Sequence, residues 1–220
     1  MPEIIPGLYL IMKERTYIYK SMSELFRGKL SRPLLEAVTR ERFLDLGVTI
    51  GEEFDRIKQG HRLICDFTRQ FEKLPQIEDV LHSEYEEILA GAEFVLQRNY
   101  ETSAEDILGS LKQFFDKENW VQPNDFPREP DHVSVECEFM VHLCAESRKS
   151  ILDRMPNVVS ENLNVQRDFL SRHVYNWFPR FSEELSRRAR SGFYRGVAEL
   201  ASGFIAVDKD VFHAIMEVPS

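Results

Sequence analysis

Cysteine is scarce, and its spacing suggests neither a bridge nor a metal ligand. Only Cys65, Cys137 and Cys144 occur, an odd number in apolar helical contexts with no C-x-x-C pair. A reducing, cytoplasmic setting is therefore expected. Long hydrophobic runs are missing too: the longest, such as 8–12, fall far short of the roughly 20 residues that cross a bilayer. The start Met-Pro-Glu-Ile-Ile lacks the basic region of a secretory signal, so neither membrane insertion nor export is expected. Basic residues are outnumbered, 28 Lys and Arg against 37 Asp and Glu, for a net charge of −9. Such a surface repels a phosphate backbone, which argues against nucleic acid, and suits a basic partner. The chain has no Gly-rich phosphate loop, H-E-x-x-H, G-x-S-x-G or dinucleotide fingerprint, so nothing points to an enzyme or to a cofactor. The six histidines are scattered, and His132 and Glu136, one turn apart, show a spacing too common on helices to indicate a metal.

Helical periodicity fills the space these absences leave. It predicts helices over 14–27 and 33–45, the second opening on Pro33, where a missing N–H costs little. Thr49-Ile50-Gly51-Glu52 reads as a capping box for a long helix over 52–74 that Pro75 stops. Further helices are expected over 77–90, from the Ser103-Ala104-Glu105-Asp106 cap onward, and over 130–155, 160–174, 178–190, 192–207 and 211–216. Only 4–12 could be extended. Gly192-x-x-x-Gly196, in a helix that spans no membrane, is read as a site of close helix packing. Prolines 123, 127 and 130 keep 122–130 out of any helix. The expected fold is all-α, a bundle of about eight to ten helices in two subdomains, 1–122 and 131–220, joined by a proline-rich hinge at 123–130.

The densest cluster of ionisable groups is Arg128-Glu129-Pro130-Asp131-His132, at the hinge and the start of the 130–155 helix, with Glu136 one turn on. Acidic residues there could simply complement the helix dipole. They could equally pair with guanidinium groups, whose planar forks fit carboxylates bidentately. An imidazole beside carboxylates is expected to titrate at or above about 6.5. Asp131 and His132 would point about a hundred degrees apart on a helix, a poor geometry for a catalytic relay. Aromatics near helix ends or loops, Tyr85, Tyr100, Phe126, Tyr175, Trp177 and Phe178, could line a groove for an apolar peptide segment.

At these residues the sequence resembles the TorD/DmsD family of redox-enzyme maturation chaperones. The motif that carries the resemblance is Glu129-Pro130-Asp131-His132, followed by an apolar helix containing Glu138-Phe139-Met140. Glu84-Tyr85 with Ile88-Leu89, Tyr100-Glu101, then Phe169, His173, Trp177 and Phe178, and finally Phe193-Tyr194 are similar in position and type. After Leu89 the chain departs from the family pattern of Phe-x-Gly followed by prolines: it reads Leu89-Ala90-Gly91-Ala92-Glu93-Phe94, with no proline before Tyr100. The resemblance implies a cytoplasmic protein that binds the twin-arginine leader and folding intermediate of a molybdenum oxidoreductase subunit, assisting cofactor insertion before export. It implies that Asp131 and His132 belong to the peptide site; Glu129, Glu136, Tyr85, Tyr100, Phe126 and Trp177 complete the expected set. The other reading is a helical interaction module for an unrelated partner. A monomer is expected, with exchange of lobes at the hinge as a route to dimers.

Overall fold

The computed structural model describes residues 4–28, 30–39, 52–71, 74–101, 103–127 and 129–217. Among these the fold is all-α, with nine α-helices and no strand: α1 (Ile4–Phe26), α2 (Arg32–Thr39), α3 (Glu52–Thr68), α4 (Leu74–Ile88), α5 (Ala104–Lys117), α6 (Val133–Leu152), α7 (Pro156–His173), α8 (Phe178–Arg188) and α9 (Gly192–Glu217). The capping box at Thr49 lies outside the described residues.

Three boundaries differ most from expectation. Residues 4–12 are helical, because Pro6 sits in the first turn, where its missing N–H loses no partner, and Met12 continues the buried Arg15–Tyr19–Met22–Phe26 face. The helix opening at Glu52 ends at Thr68. The Thr68 hydroxyl donates to the Cys65 carbonyl (3.0 Å) and the Gln70 side-chain Nε2 to that of Asp66 (3.2 Å), so the last carbonyls are satisfied without another turn. Pro75 consequently starts the next helix instead of stopping this one. The last two expected helices are one, α9, running unbroken through Asp208. The cap at Ser103 forms as expected, its hydroxyl accepting from the Asp106 amide at 3.3 Å.

Two antiparallel pairs frame the bundle. Along α1 and α6, the Ser23 hydroxyl reaches the Ser134 carbonyl (3.0 Å) at one end and Arg148 lies over the Tyr9 ring at the other. Between α3 and α9 the backbones nearly touch: a Cβ on Gly196 would fall 2.5 Å from the Gly60 carbonyl oxygen, and one on Gly192 3.4 Å from that of Leu63. The Gly192-x-x-x-Gly196 spacing thus does mark a close crossing. Each pair joins a helix from before 122–130 to one from after it. A buried ionic cluster locks α1, α7 and α9 together. Arg15 Nε donates to Asp208 Oδ1 (2.6 Å), Tyr19 donates to Asp208 Oδ2 (2.8 Å), and Arg15 also bonds the Gln166 side chain.

Around Phe181, in α8, an aromatic cluster fills the core. Phe26, Phe94, Trp177 and Phe178 all pack against its ring with centroids 5.1–5.9 Å away. No described helix is long and apolar enough to cross a membrane.

Candidate functional site

Pro130 fixes the chain's entry into α6, and the two residues after it are stitched to a segment thirty residues upstream. Residues 93–99 form two single 3-10 turns, Glu93–Val95 and Gln97–Asn99. A lone antiparallel bridge pairs Leu96 with His132, and the Gln97 amide donates to the Asp131 carbonyl at 2.9 Å. This is the stretch where the sequence departs from the family pattern.

Asp131 is fully buried, at 0% exposure, and its carboxylate is occupied. Arg98 donates from Nε (2.7 Å) and from its backbone amide (3.1 Å) to Oδ2, and from Nη2 to Oδ1. The Asp131 contacts therefore run to a guanidinium fork and not to the amides of the α6 first turn, the dipole role considered for it. Those contacts, led by the hydrogen bond that Arg98 donates to the Asp131 carboxylate, raise the Arg98 pKa further. The α6 cap is His132, whose Nδ1 accepts from the Ser134 amide at 3.1 Å. That bond needs a lone pair on Nδ1, hence a neutral ring. Burial, outweighing the Asp131 charge, lowers the His132 pKa to about 4. The expectation of an imidazole titrating at or above 6.5 is thereby corrected: desolvation wins over the neighbouring carboxylate. Glu129 alone of the motif is exposed to solvent. Arg128 lies outside the described residues.

One turn into α6, Glu136 is 2% exposed, and its Oε2 accepts from the Trp177 indole at 3.1 Å. Burial, reinforced by Asp131 and Glu101, pushes its pKa well above the usual range despite that bond. Its Oε1 and Oε1 of Glu101 are buried with no hydrogen-bond partner. Trp177 is core, its ring 5.4 Å from that of Tyr100, so it backs the surface aromatic from beneath and presents no face to solvent. His173 completes the layer, bonded to Gln97 Oε1 (2.9 Å) and the Ser110 hydroxyl (2.8 Å), and burial lowers its pKa to about 4.

Above this layer lies a shallow cleft of about 370 Å³ lined by Glu93, Phe94, Asn99, Tyr100, Arg180, Glu184 and Arg188. Arg180 lies over Tyr100 and Arg188 over Phe94. Tyr85 and Phe126 sit apart from it, at the turn after α1. Tyr85 packs on Gly28, which has a φ of +72° and where an added Cβ would fall 2.5 Å from the tyrosine ring, and Phe126 lies under Arg27 at 3.8 Å. The fold thus gathers Asp131, His132, Glu136, Tyr100 and Trp177 into one layered cluster and leaves Tyr85 and Phe126 on a neighbouring patch. Arg98 and Arg180 were missed by sequence reasoning, whereas Glu101 entered only through the Tyr100-Glu101 pair of the resemblance. The signal for Arg98 was a charge two residues before Tyr100 in a stretch without periodicity, and Arg180, in α8, had none. Among the described residues no group of three or more His, Cys, Asp or Glu could hold a metal.

The family described as "Nitrate reductase delta subunit" matches residues 72–183, just over half of the chain and all of this cluster. "Chaperone protein TorD" of Vibrio cholerae serotype O1 is 32% identical over 79 residues, 36% of this chain and 34% of that protein. Its namesake in Aliivibrio fischeri is 24% identical over 98 residues, 44% of each chain. "Chlorate reductase assembly chaperone protein" of Ideonella dechloratans is 33% identical over 90 residues, 40% of this chain and 45% of that protein. The matched stretches thus span less than half the length of these relatives. No solved structure matches the chain.

Proposed function

Since the chain belongs to the nitrate reductase delta subunit family of TorD-like chaperones, we propose that it acts in the maturation of a redox enzyme by binding, without turnover. Its ligand is the twin-arginine leader of a molybdenum oxidoreductase subunit, held in the cytoplasm until cofactor insertion is complete. The observation that carries this reading is the joining of the Glu129–His132 junction to the Leu96–Tyr100 segment, whose Asn99 and Tyr100 line the cleft. The leader's arginines would meet Glu129 and Asp131, and its apolar stretch would lie over Phe94 and Tyr100, with Tyr85 and Phe126 extending the surface. A holding role requires release, so binding in the micromolar to sub-micromolar range, about −8 to −10 kcal/mol, is expected.

Calorimetry with a synthetic leader tests this. A peptide with two consecutive arginines and an apolar stretch should bind, and changing both to lysine, which keeps charge but loses the fork, should weaken it by a small factor, about threefold or less. Absence of any heat with either peptide would sink the leader-binding role and favour a helical interaction module for another partner.

A further inference from the structure

Arg98 already makes with Asp131 the contact that a ligand arginine would make: a two-pronged guanidinium–carboxylate pair on a fully buried acceptor. We propose that Arg98 is the resident occupant of the guanidinium site, and that a peptide arginine binds there by displacing its side chain. This rests on the leader-binding reading above and adds the residue that sets its arginine selectivity.

Three features favour exchange over a permanent clamp. The Arg98 side chain is 28% exposed, so it has a path to solvent that Asp131 lacks. Its backbone is anchored independently of the fork: the Gln97 amide bonds the Asp131 carbonyl, the Gln97 side-chain amide bonds the Arg172 carbonyl at 3.0 Å, and the Arg98 backbone amide keeps its own bond to Oδ2. The carboxylate therefore stays oriented when the fork leaves. Finally, Glu129 is exposed and near enough to act on Arg98 electrostatically, so an incoming arginine meets a second anion beside Asp131.

Exchange has a quantitative consequence. One fork replaces another on the same carboxylate, so in the wild type the peptide arginines contribute little net affinity. Discrimination between an Arg-Arg leader and its Gln-Gln counterpart should be threefold or less. Removing the occupant by Arg98→Gln leaves a buried carboxylate whose best partner is the peptide, and the same discrimination should rise to about tenfold or more. Arg98→Lys, which keeps the cation and so protects folding, should fall between the two.

The experiment is calorimetry of wild type, R98Q and R98K with both leaders. Alongside it, arginine Nε–H NMR spectra of the wild type are recorded, with the Arg98 signal assigned by its loss in R98K. Tighter Arg-Arg binding in the variants with unchanged Gln-Gln binding, and an Arg98 signal that shifts with the Arg-Arg leader alone, supports exchange. Wild type that binds leader while the variants show equal or weaker Arg-Arg affinity, or an Arg98 signal indifferent to either peptide, makes the pair a structural clamp and leaves the chaperone reading standing. If R98Q does not fold, R98K and the wild-type spectra decide in the same way. No binding of either leader by any of the three proteins overturns exchange and leader recognition together.

Discussion

Acid should destabilise this protein well above the pH at which carboxylates titrate, and the cause is two buried histidines. His132 and His173 are both held near a pKa of about 4, against 6.5 for an exposed imidazole, chiefly by burial. At His132 the hydrogen bonding also requires the neutral ring, while at His173 it fits either form and burial decides. His132 Nδ1 must accept from the Ser134 amide, while His173 lies between Gln97 Oε1, which only accepts, and the Ser110 hydroxyl. Because the folded pKa is depressed, the unfolded chain takes up a proton at a higher pH than the native protein. Stability is therefore full above about pH 6.5 and falls as pH drops toward 4, where the loss levels off. Each pH unit between the two values corresponds to about 1.4 kcal/mol, so each histidine removes about 3 kcal/mol at the limit and about 2 kcal/mol by pH 5. Together that is about 4 kcal/mol at pH 5, a large part of the 5–15 kcal/mol typical of a folded domain. Urea unfolding at several pH values between about 4.5 and 7.5 measures it. His132→Asn keeps a side-chain acceptor for the α6 cap, and His173→Gln keeps polar contacts; each variant should remove one ring's share of the acid loss, about 2 kcal/mol by pH 5, relative to the wild type. Variant curves parallel to that of the wild type between about pH 5 and 7.5 would refute the assignment to these rings, a comparison from which the opposing contribution of Glu136 cancels.

Two further outcomes follow from the packing. Glu136 has a raised folded pKa, so the stability it contributes is present at low pH and is lost as pH rises above the ordinary glutamate range. Glu136→Gln, which still offers the Trp177 indole an acceptor, should match the wild type near pH 4 and exceed it near pH 8 in urea midpoint; equal midpoints at both ends would mean that the carboxyl ionises freely. At the α3–α9 crossing, Gly196→Ala drives a methyl against the Gly60 carbonyl at 2.5 Å and Ile64 Cγ1 at 2.8 Å, and should cost about 1–3 kcal/mol or more. Gly109→Ala, in α5 with nothing within 4 Å of the added Cβ, should instead stabilise by about 0.5–1 kcal/mol, and a loss at Gly109 as large as at Gly196 would discard the crossing as the cause.

Several elements were legible because their signals are local. The Ser103 cap and the 3.6-residue rhythm of α5, α6 and α8 depend on a few neighbouring residues, and each lies close to where the sequence puts it, whereas α7 starts at Pro156, before the expected residue 160. The misreadings arose where a distant partner changes the meaning of a residue. Residues 207–211, with Asp208, Lys209 and Asp210 in a row, look like a helix end. Yet Asp208 points into the core and is neutralised by Arg15, almost the whole chain away, so α9 continues. Residues 4–12 look extended until α6 supplies a surface for their buried face.

The candidate site divides along the same line. Sequence by itself determined that Glu129-Pro130-Asp131-His132 opens a helix, that carboxylates concentrate there, and that aromatic side chains recur near the helix ends that follow. Only the tertiary structure decided what those groups are. Asp131 was free to be a helix-dipole partner or an open anion until Arg98, thirty-three residues upstream, closed on it. His132 was a titrating imidazole until burial and the Ser134 amide fixed it neutral, and Trp177 was a groove wall until Glu136 and the Phe181 cluster drew it into the core. The physical reason is that helix propensity and capping act over a few residues of chain. Charge state and burial are set instead by whatever the fold packs within a few ångströms, regardless of separation in sequence.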